Sequence, residues 1–307
     1  MARRVVVEAP ASSANLGPGF DVFALALAEP MDRLVVEKAE KGISLAVDNA
    51  PELLRMPMRN VVGAVARRIM TDHRVRGGVS MSLTKGVPVG AGLGSSAASS
   101  VAAAVGVDAL FRLGLPSSEI IRYAGIGEKL ASGTAHYDNV TASYAGGFVI
   151  VNGSSGYVRI EAPRSLALCL VTPRLKLPEQ KTKYARSILP RDIPLRTAVE
   201  VERAASMMTH GFMTGDVEEI GRAMLVSPVD EARSKMIPGF KAAREAALAG
   251  GAAGVCISGA GPTVLAASSK RKSKEVLRAM ERAFLSRGIQ SDGFVTKAGR
   301  GCRVVEG

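Results

Sequence analysis

The sequence predicts an α+β chain in two parts, on three observations. Short β-branched runs crowd the first ~50 residues, strand-like and helix-like periods alternate after them, and two glycine-rich turns follow strand-like runs. In order, "RRVVVEA", "DVFALALA" (21–28) and "RLVVEKAE" (33–40) read as strands. "NVVGAVARRIMTDH" (60–73) reads as a helix with Asn60 as its N-cap. "GVSMSLTK" (78–85) alternates apolar and polar residues as a strand does, and leads into "VPVGAGLGSS". A long Ala/Val helix over 95–113 is stopped by Gly114 and Pro116. Ser117 and Ser118 are candidate caps for the next helix, which ends near Gly133. Strands at 146–152 and 166–172 flank a Gly/Ser turn. Helical patterns follow at 180–188, 195–213, 216–224 and 235–249, then strands 254–258 and 263–268 around "SGAGPT". A helix at 271–287 and a strand at 291–297 close the chain. The parts divide near 153–165, into 1–160 and 161–307, with no internal repeat.

Composition narrows the function classes. A chain of 307 residues, 47% hydrophobic and 22% charged, is ordinary for a soluble globular protein. No apolar run reaches the ~18 residues of a membrane span. Glu8 and Pro10 interrupt "MARRVVVEAP" too early for a signal peptide, so a cytoplasmic setting is expected. Three cysteines (169, 256, 302) and three histidines (73, 136, 210) fit neither a disulfide framework nor a metal cluster. The net charge of +12 suits either nucleic acid or a phosphate-handling enzyme. Part of it lies on one amphipathic helix (268–288), whose apolar stripe is Val276, Leu277, Met280, Phe284 and Leu285, leaving the basic residues as a solvated face. Only 4% of residues are aromatic and none is Trp, which supplies few stacking platforms, so no nucleic-acid partner is expected.

The stretch "VPVGAGLGSSAAS" carries the chemistry. It is no Walker A loop, since no Lys-Ser or Lys-Thr follows its last glycine, and no dinucleotide fingerprint, since Ser95 stands where a third glycine should be. It offers backbone N–H groups unshielded by Cβ atoms at Gly90, Gly92 and Gly94, running into a helix N-terminus at Ser95-Ser96. Both features favour an anion, most often a phosphate. Ser96 can also offer its hydroxyl to a phosphate-bound Mg²⁺. A glycine loop needed only for tight helix packing would look the same.

This stretch closely resembles the signature of the GHMP kinases, the group of galactokinases, homoserine, mevalonate and phosphomevalonate kinases. "GVCISGAGPTVLA" (254–266) is similar to the C-terminal glycine motif of that family, and "APASSANLGPGFDVFALAL" (9–27) resembles the N-terminal signature of its homoserine kinases. By residue type alone, Asn15 and Asp21 could equally cap a turn beside Gly-Pro-Gly. The resemblance implies a two-domain GHMP kinase fold. Its N-terminal α+β domain holds a left-handed β-α-β unit around the phosphate loop, and its C-terminal domain is ferredoxin-like.

It also implies ATP and Mg²⁺, with L-homoserine as acceptor and a homodimer. The nucleotide set would be Pro88, Gly90, Ala91, Gly92, Leu93, Gly94, Ser95 and Ser96, with Asn60 and Val61 near the base; a helix cap alone is the equal alternative for Asn60. Ser96 and Glu128 would hold the metal. Homoserine is a zwitterion, so its ammonium wants a carboxylate and its carboxylate an arginine. Asp21 answers the first, Arg186 and Arg233 the second, with Asn15 at the hydroxyl and Thr182 near the phosphoryl path. Arg186 and Thr182 come from "TKYARSILP" and Arg233 from "SPVDEARSKMIPGF", both similar to family segments. His136, Asn139 and Gly259 would border the substrate. Tyr137 and Thr141-Ala142 depart from the family pattern, which bears on loop geometry. The alternatives are a related kinase for mevalonate or shikimate, and a basic nucleic-acid-binding protein.

Overall fold

Small and β-branched residues from Val5 to Ala14 build a strand buried almost end to end. The computed structural model describes residues 3–48, 56, 59–153, 156–178 and 181–307. β1 (Arg4–Asn15) pairs antiparallel with β2 (Gly19–Ala39). The expected strands at 21–28 and 33–40 are one strand. Between them the register jumps, with Pro10 opposite Met31 but Ser12 opposite Ala26, so residues 27–30 bulge without ending the ladder. β2 thereby reaches two further partners, β4 (Gly78–Thr84) through its second half and β5 (Phe148–Val151) through its first.

β3 (Ile43–Asp48), which the sequence reading passed over, runs parallel to β4, and α1 (Val61–Asp72) lies between them in the chain. Asn60 does cap α1, its Oδ1 accepting from the Val62 N–H at 2.8 Å. α2 (Ser95–Phe111) lies behind the sheet and is buried on every side through Ala97, Ala98 and Val101–Ala104. Its small residues allow this close approach; a Cβ on Gly106 would lie 2.7 Å from the Val36 side chain. α2 ends with Arg112 in the left-handed region, ahead of the expected stop at Gly114. α3 (Ser117–Ser132) is capped by Pro116 with no side-chain bond, so Ser117 and Ser118 lie inside the helix rather than capping it. α4 (Tyr137–Ala145), β5 and β6 (Tyr157–Ile160) complete this part.

β7 (Leu166–Pro173) begins a second sheet. Four helices follow it, α5 (Lys181–Ser187), α6 (Leu195–Thr214), α7 (Val217–Met224) and α8 (Pro228–Arg233). Then come α9 (Phe240–Ala249), β8 (Gly254–Ile257), β9 (Val264–Ser269), α10 (Ser273–Leu285), β10 (Ser291–Thr296) and β11 (Arg303–Glu306). The first residue of the expected 180–188 helix lies outside the described residues. α8 was not expected, although Ser227 caps it and Pro228 opens it. The expected 235–249 helix starts only at Phe240, after Gly239 at φ +89°.

The second sheet is antiparallel in the order β10-β7-β9-β8, the ferredoxin-like arrangement. Alternation along β7 and β9 serves two cores. Cys169, Val171, Val264 and Ala266 pack under α9 and α10, while Leu166, Leu168, Leu170 and Leu265 join the large core of the first sheet. On α10, Val276, Met280 and Phe284 are fully buried, but Leu285 is 64% exposed and leaves the expected stripe. β11 returns to pair with β1, so the last residues form an edge of the first sheet. Among the described residues, no helix is long and apolar enough to cross a membrane.

Candidate active site

A cleft of about 840 Å³ opens between the two sheets' loops. Its walls are the β1–β2 turn, the glycine loop before α2, the end of α3, the start of α4, α5, Arg233 of α8 and the Gly259–Ala260 turn.

The glycine loop is built from residues that only glycine suits. Gly90, Gly92 and Gly94 all have positive φ, at +76°, +85° and +65°. A Cβ on Gly92 would lie 2.5 Å from the carbonyls of Ser258 and Gly261. The second glycine motif presses onto the first: Ser258 Oγ donates to the Gly92 carbonyl at 2.8 Å and the Thr263 N–H to the Ala91 carbonyl at 3.2 Å. α2 therefore starts at a fixed point, and its first turn, whose N–H groups have no partner within the helix, lines the cleft at Ser95 and Ser96. Ala91 and Leu93 do not line the cleft, because their side chains are buried; they serve through carbonyls that accept from Thr263 and Ser12. Pro88 is exposed and also outside the lining. Ser95 lines the cleft, but its hydroxyl turns back to the Val87 carbonyl at 2.9 Å.

Sequence reasoning missed what braces this junction. Asp32 on β2 is fully buried and paired with Lys85; its second oxygen accepts from the Gly86 and Val87 N–H groups at 3.1 and 3.0 Å. Lys85 also donates to the Ser95 carbonyl and to Ser99 Oγ, tying strand, loop and helix together. A Lys following an amphipathic strand carries no local signal of such a partner 53 residues away.

Glu128, at the end of α3, lies against Ser96. Burial pushes its carboxyl up to about 7, the Ser96 hydrogen bond opposing and Asp138 adding to the rise, and its Oε1 is buried without a hydrogen-bond partner. Among the described residues, no group of three or more His, Cys, Asp or Glu side chains could hold a metal. Asp138, also unforeseen, lines the cleft fully buried; burial raises its carboxyl to about 6.

The charged end of the cleft is assembled from both halves of the chain. Arg186 Nη2 meets both Asp21 oxygens at 3.0 Å and His136 Nδ1 at 3.1 Å. Burial, then the Arg186 charge, holds His136 below its ordinary value. Arg233 donates to the Gly259 carbonyl at 2.7 Å, and the Phe20 ring lies 5.3 Å from one guanidinium and 5.4 Å from the other. Asn15 is committed at both ends of its amide: Oδ1 accepts the Asp21 N–H at 3.2 Å and Nδ2 donates to the Gly259 carbonyl at 3.1 Å. It holds Asp21 at φ +59°, a role the sequence reading did not give it. Asn139 lines the cleft with its Oδ1 accepting from Ser12 Oγ at 2.9 Å. Thr182, Asn60 and Val61 line the cleft as well.

A helix N-terminus behind a glycine loop, a buried carboxylate that bonds a serine and keeps one oxygen without a partner, and a cluster of arginines with an aspartate define a phosphotransferase-type site. Residues 60–147 match the GHMP kinases N terminal domain and residues 208–286 the GHMP kinases C terminal domain. The chain belongs to the GHMP kinase family. Full-length homoserine kinases are among its relatives within that family. That of Haloarcula marismortui is 39% identical over 98% of this chain and 99% of its own length, and that of Thermoplasma volcanium 35% identical over 97% and 96%. The crystal structure of homoserine kinase from Cytophaga hutchinsonii superposes with a TM-score of 0.92 at 33% identity, over 99% of this chain and 98% of that one. L. major mevalonate kinase, at 16% identity and a TM-score of 0.72 over 98% of each chain, shares the fold.

Proposed function

We propose that the chain transfers the γ-phosphoryl group of ATP to the side-chain hydroxyl of L-homoserine, giving O-phospho-L-homoserine, a step of threonine biosynthesis. The observation that carries this reading is the Asp21–Arg186–Arg233 cluster, which offers both signs of charge beside a phosphate-binding backbone loop. A zwitterion needs both: Asp21 for the ammonium, Arg186 and Arg233 for the carboxylate. Mevalonate and shikimate would leave Asp21 without a partner in the bound state.

The residues at the end of α3 fit Mg²⁺, which takes one or two carboxylates and fills the rest of its shell with phosphate and water. Glu128, with an oxygen lacking any donor, and Ser96 would hold it. Bound there, it would neutralise charge on the phosphates. The 90–96 backbone cradles the triphosphate, and Asn60 and Val61 border the base. Thr182, Asn139 and His136 line the path of the acceptor hydroxyl. Phosphoryl transfer through a loose transition state asks chiefly for alignment and charge neutralisation. Asp21 is taken up by the substrate ammonium and so is no general base; the hydroxyl proton passes to the transferred phosphoryl oxygens. The reading carries with it a cytoplasmic setting and a homodimer.

The test is ADP release with Mg·ATP against L-homoserine, mevalonate, shikimate, galactose and no acceptor. Turnover with homoserine alone supports the reading, and turnover with another acceptor replaces it.

A further inference from the structure

Of the cations that line the cleft, Lys85 and Arg186 hold ion pairs, whereas among the described residues Arg233, the exposed Lys183 and the half-buried Lys181 hold none. Lys85 pairs with Asp32, Arg186 with Asp21, and Arg233 feels Asp230 on its own helix. Lys181, the first residue of α5, has no carboxylate within ion-pair distance among the described residues. Its ammonium donates instead to two carbonyls, Gly90 at 2.7 Å in the first glycine loop and Gly261 in the second. Lys181 therefore sits where the two loops meet, lining the cleft one residue before Thr182. Two of the three N–H donors of an ammonium are used there, which leaves one for an anion.

We propose, on the reading of the chain as a phosphotransferase, that Lys181 is a catalytic residue whose ammonium contacts the phosphoryl group as it passes from nucleotide to acceptor. The argument is electrostatic. A partly desolvated cation without a carboxylate raises the energy of the empty site, and the arrival of phosphate charge removes that cost. The two carbonyls hold the ammonium at the junction of the loops and keep it from swinging into solvent, so the charge is prearranged where negative charge moves. The same bonds fix the start of α5, the helix that carries Thr182 and Arg186.

The state of the group accords with this placement. Burial, then the neighbouring Arg233 charge, brings the Lys181 amine down to about 8. The glycine loops facing it contribute carbonyls only, α8 contributes Arg233, and its own helix contributes Lys183 and Arg186. Among the described residues no carboxylate lies within ion-pair distance of Lys181 itself, and the ammonium of the free protein is lost as pH rises through about 8.

The experiment uses the full chain with Mg·ATP and L-homoserine, comparing wild type with Lys181→Met and Lys181→Arg across pH 6 to 10. The expected result is a kcat lower by about 10²-fold in Lys181→Met, the scale of one lost transition-state donor, with the KM for ATP within threefold. Lys181→Arg should recover part of that loss. The basic limb of kcat/KM for ATP, which reports groups of the free enzyme, should move upward from about 8 in Lys181→Arg. If Lys181→Met does not fold, that shift of the limb decides alone. A kcat within threefold of wild type, a loss confined to the KM for ATP, or a limb unmoved in Lys181→Arg overturns the proposal. Failure of the acceptor reading is visible separately: if wild type uses another hydroxyl compound, the same ratios with that compound test Lys181. A wild type inert toward every acceptor overturns both.

Discussion

Asp21→Asn should move two acceptors in opposite directions. In the free protein Asp21 and Arg186 neutralise each other, Asp21 standing where a substrate carboxylate would and Arg186 standing in for its ammonium. A bound zwitterion gives each residue a new partner. 4-Hydroxybutyrate, which lacks the ammonium, must take Arg186 from Asp21 and leave that carboxylate unpaired. At 3.0 Å two unit charges attract by about 1.4 kcal/mol in water. The side chains are 37% and 41% exposed, so solvent reduces this to ~0.2–1 kcal/mol. Freeing Arg186 should therefore tighten 4-hydroxybutyrate by up to about fivefold. The same substitution removes a charged hydrogen bond to the homoserine ammonium, about 1.5–3 kcal/mol, and should raise the homoserine KM by roughly ten- to a hundredfold. Asn is the suitable replacement because it tolerates the φ of +59° that Asp21 adopts. The assay is steady-state ADP release, with 4-hydroxybutyrate measured as acceptor and as competitor of homoserine. Equal weakening of both compounds, or a change confined to kcat, would refute the pairing argument.

Four further outcomes can be measured on the same protein. Gly92→Ala should abolish activity and lower the melting temperature, since its Cβ would meet two carbonyls at 2.5 Å and its φ is +85°; a variant of wild-type stability would show that the loops do not press together. Lys85→Met should destabilise by about 3–5 kcal/mol in urea unfolding, because it strands the buried Asp32 charge, and adding Asp32→Leu should recover part of the loss. Asp138→Asn should leave kcat within about fivefold if no general base operates, whereas a fall of 10²-fold or more would make Asp138 the base. The folded chain holds the proton of the fully buried Asp230 up to about 7, against 3.8 in the ordinary carboxylate. Its contribution to stability is therefore complete below about pH 4 and lost as pH rises through 7, and Asp230→Asn should flatten that slope in urea midpoints. An unchanged slope would place the titrating group elsewhere.

How much of this site the sequence shows depends on how local each cause is. The glycine loop was legible because a positive φ or a close approach demands glycine wherever it occurs: Gly90, Gly92 and Gly94 all have positive φ, and Gly92 and Gly94 also meet neighbours too close for a Cβ. Asn60 was legible as a cap because the bond spans two residues. β3 carried a readable alternation of Ile43, Leu45 and Val47 that was passed over, and α8 carried its Ser-Pro start. Other features had no local signal. The chemistry of Asp21 was foreseeable as a carboxylate for an ammonium, but not its pairing with a residue 165 positions away. Asn15 read as a polar group for the substrate; it lines the cleft, and the hold that both ends of its amide keep on the loop had no local signal.

By itself the sequence determined most of the elements, the two glycine loops and the residue types that a phosphate and a zwitterion require. These follow from the backbone freedom, periodicity and charge of single residues and near neighbours. Only the tertiary structure decided which of those groups face one another. Bringing Lys85 onto Asp32 depends on pairing β4 with β2, and bringing Gly92 under Ser258 and Lys181 onto both loops depends on packing two sheets across a shared core. The burial that raises Glu128 and Asp138 has the same origin, because desolvation is set by what surrounds a group in space and not by its neighbours along the chain.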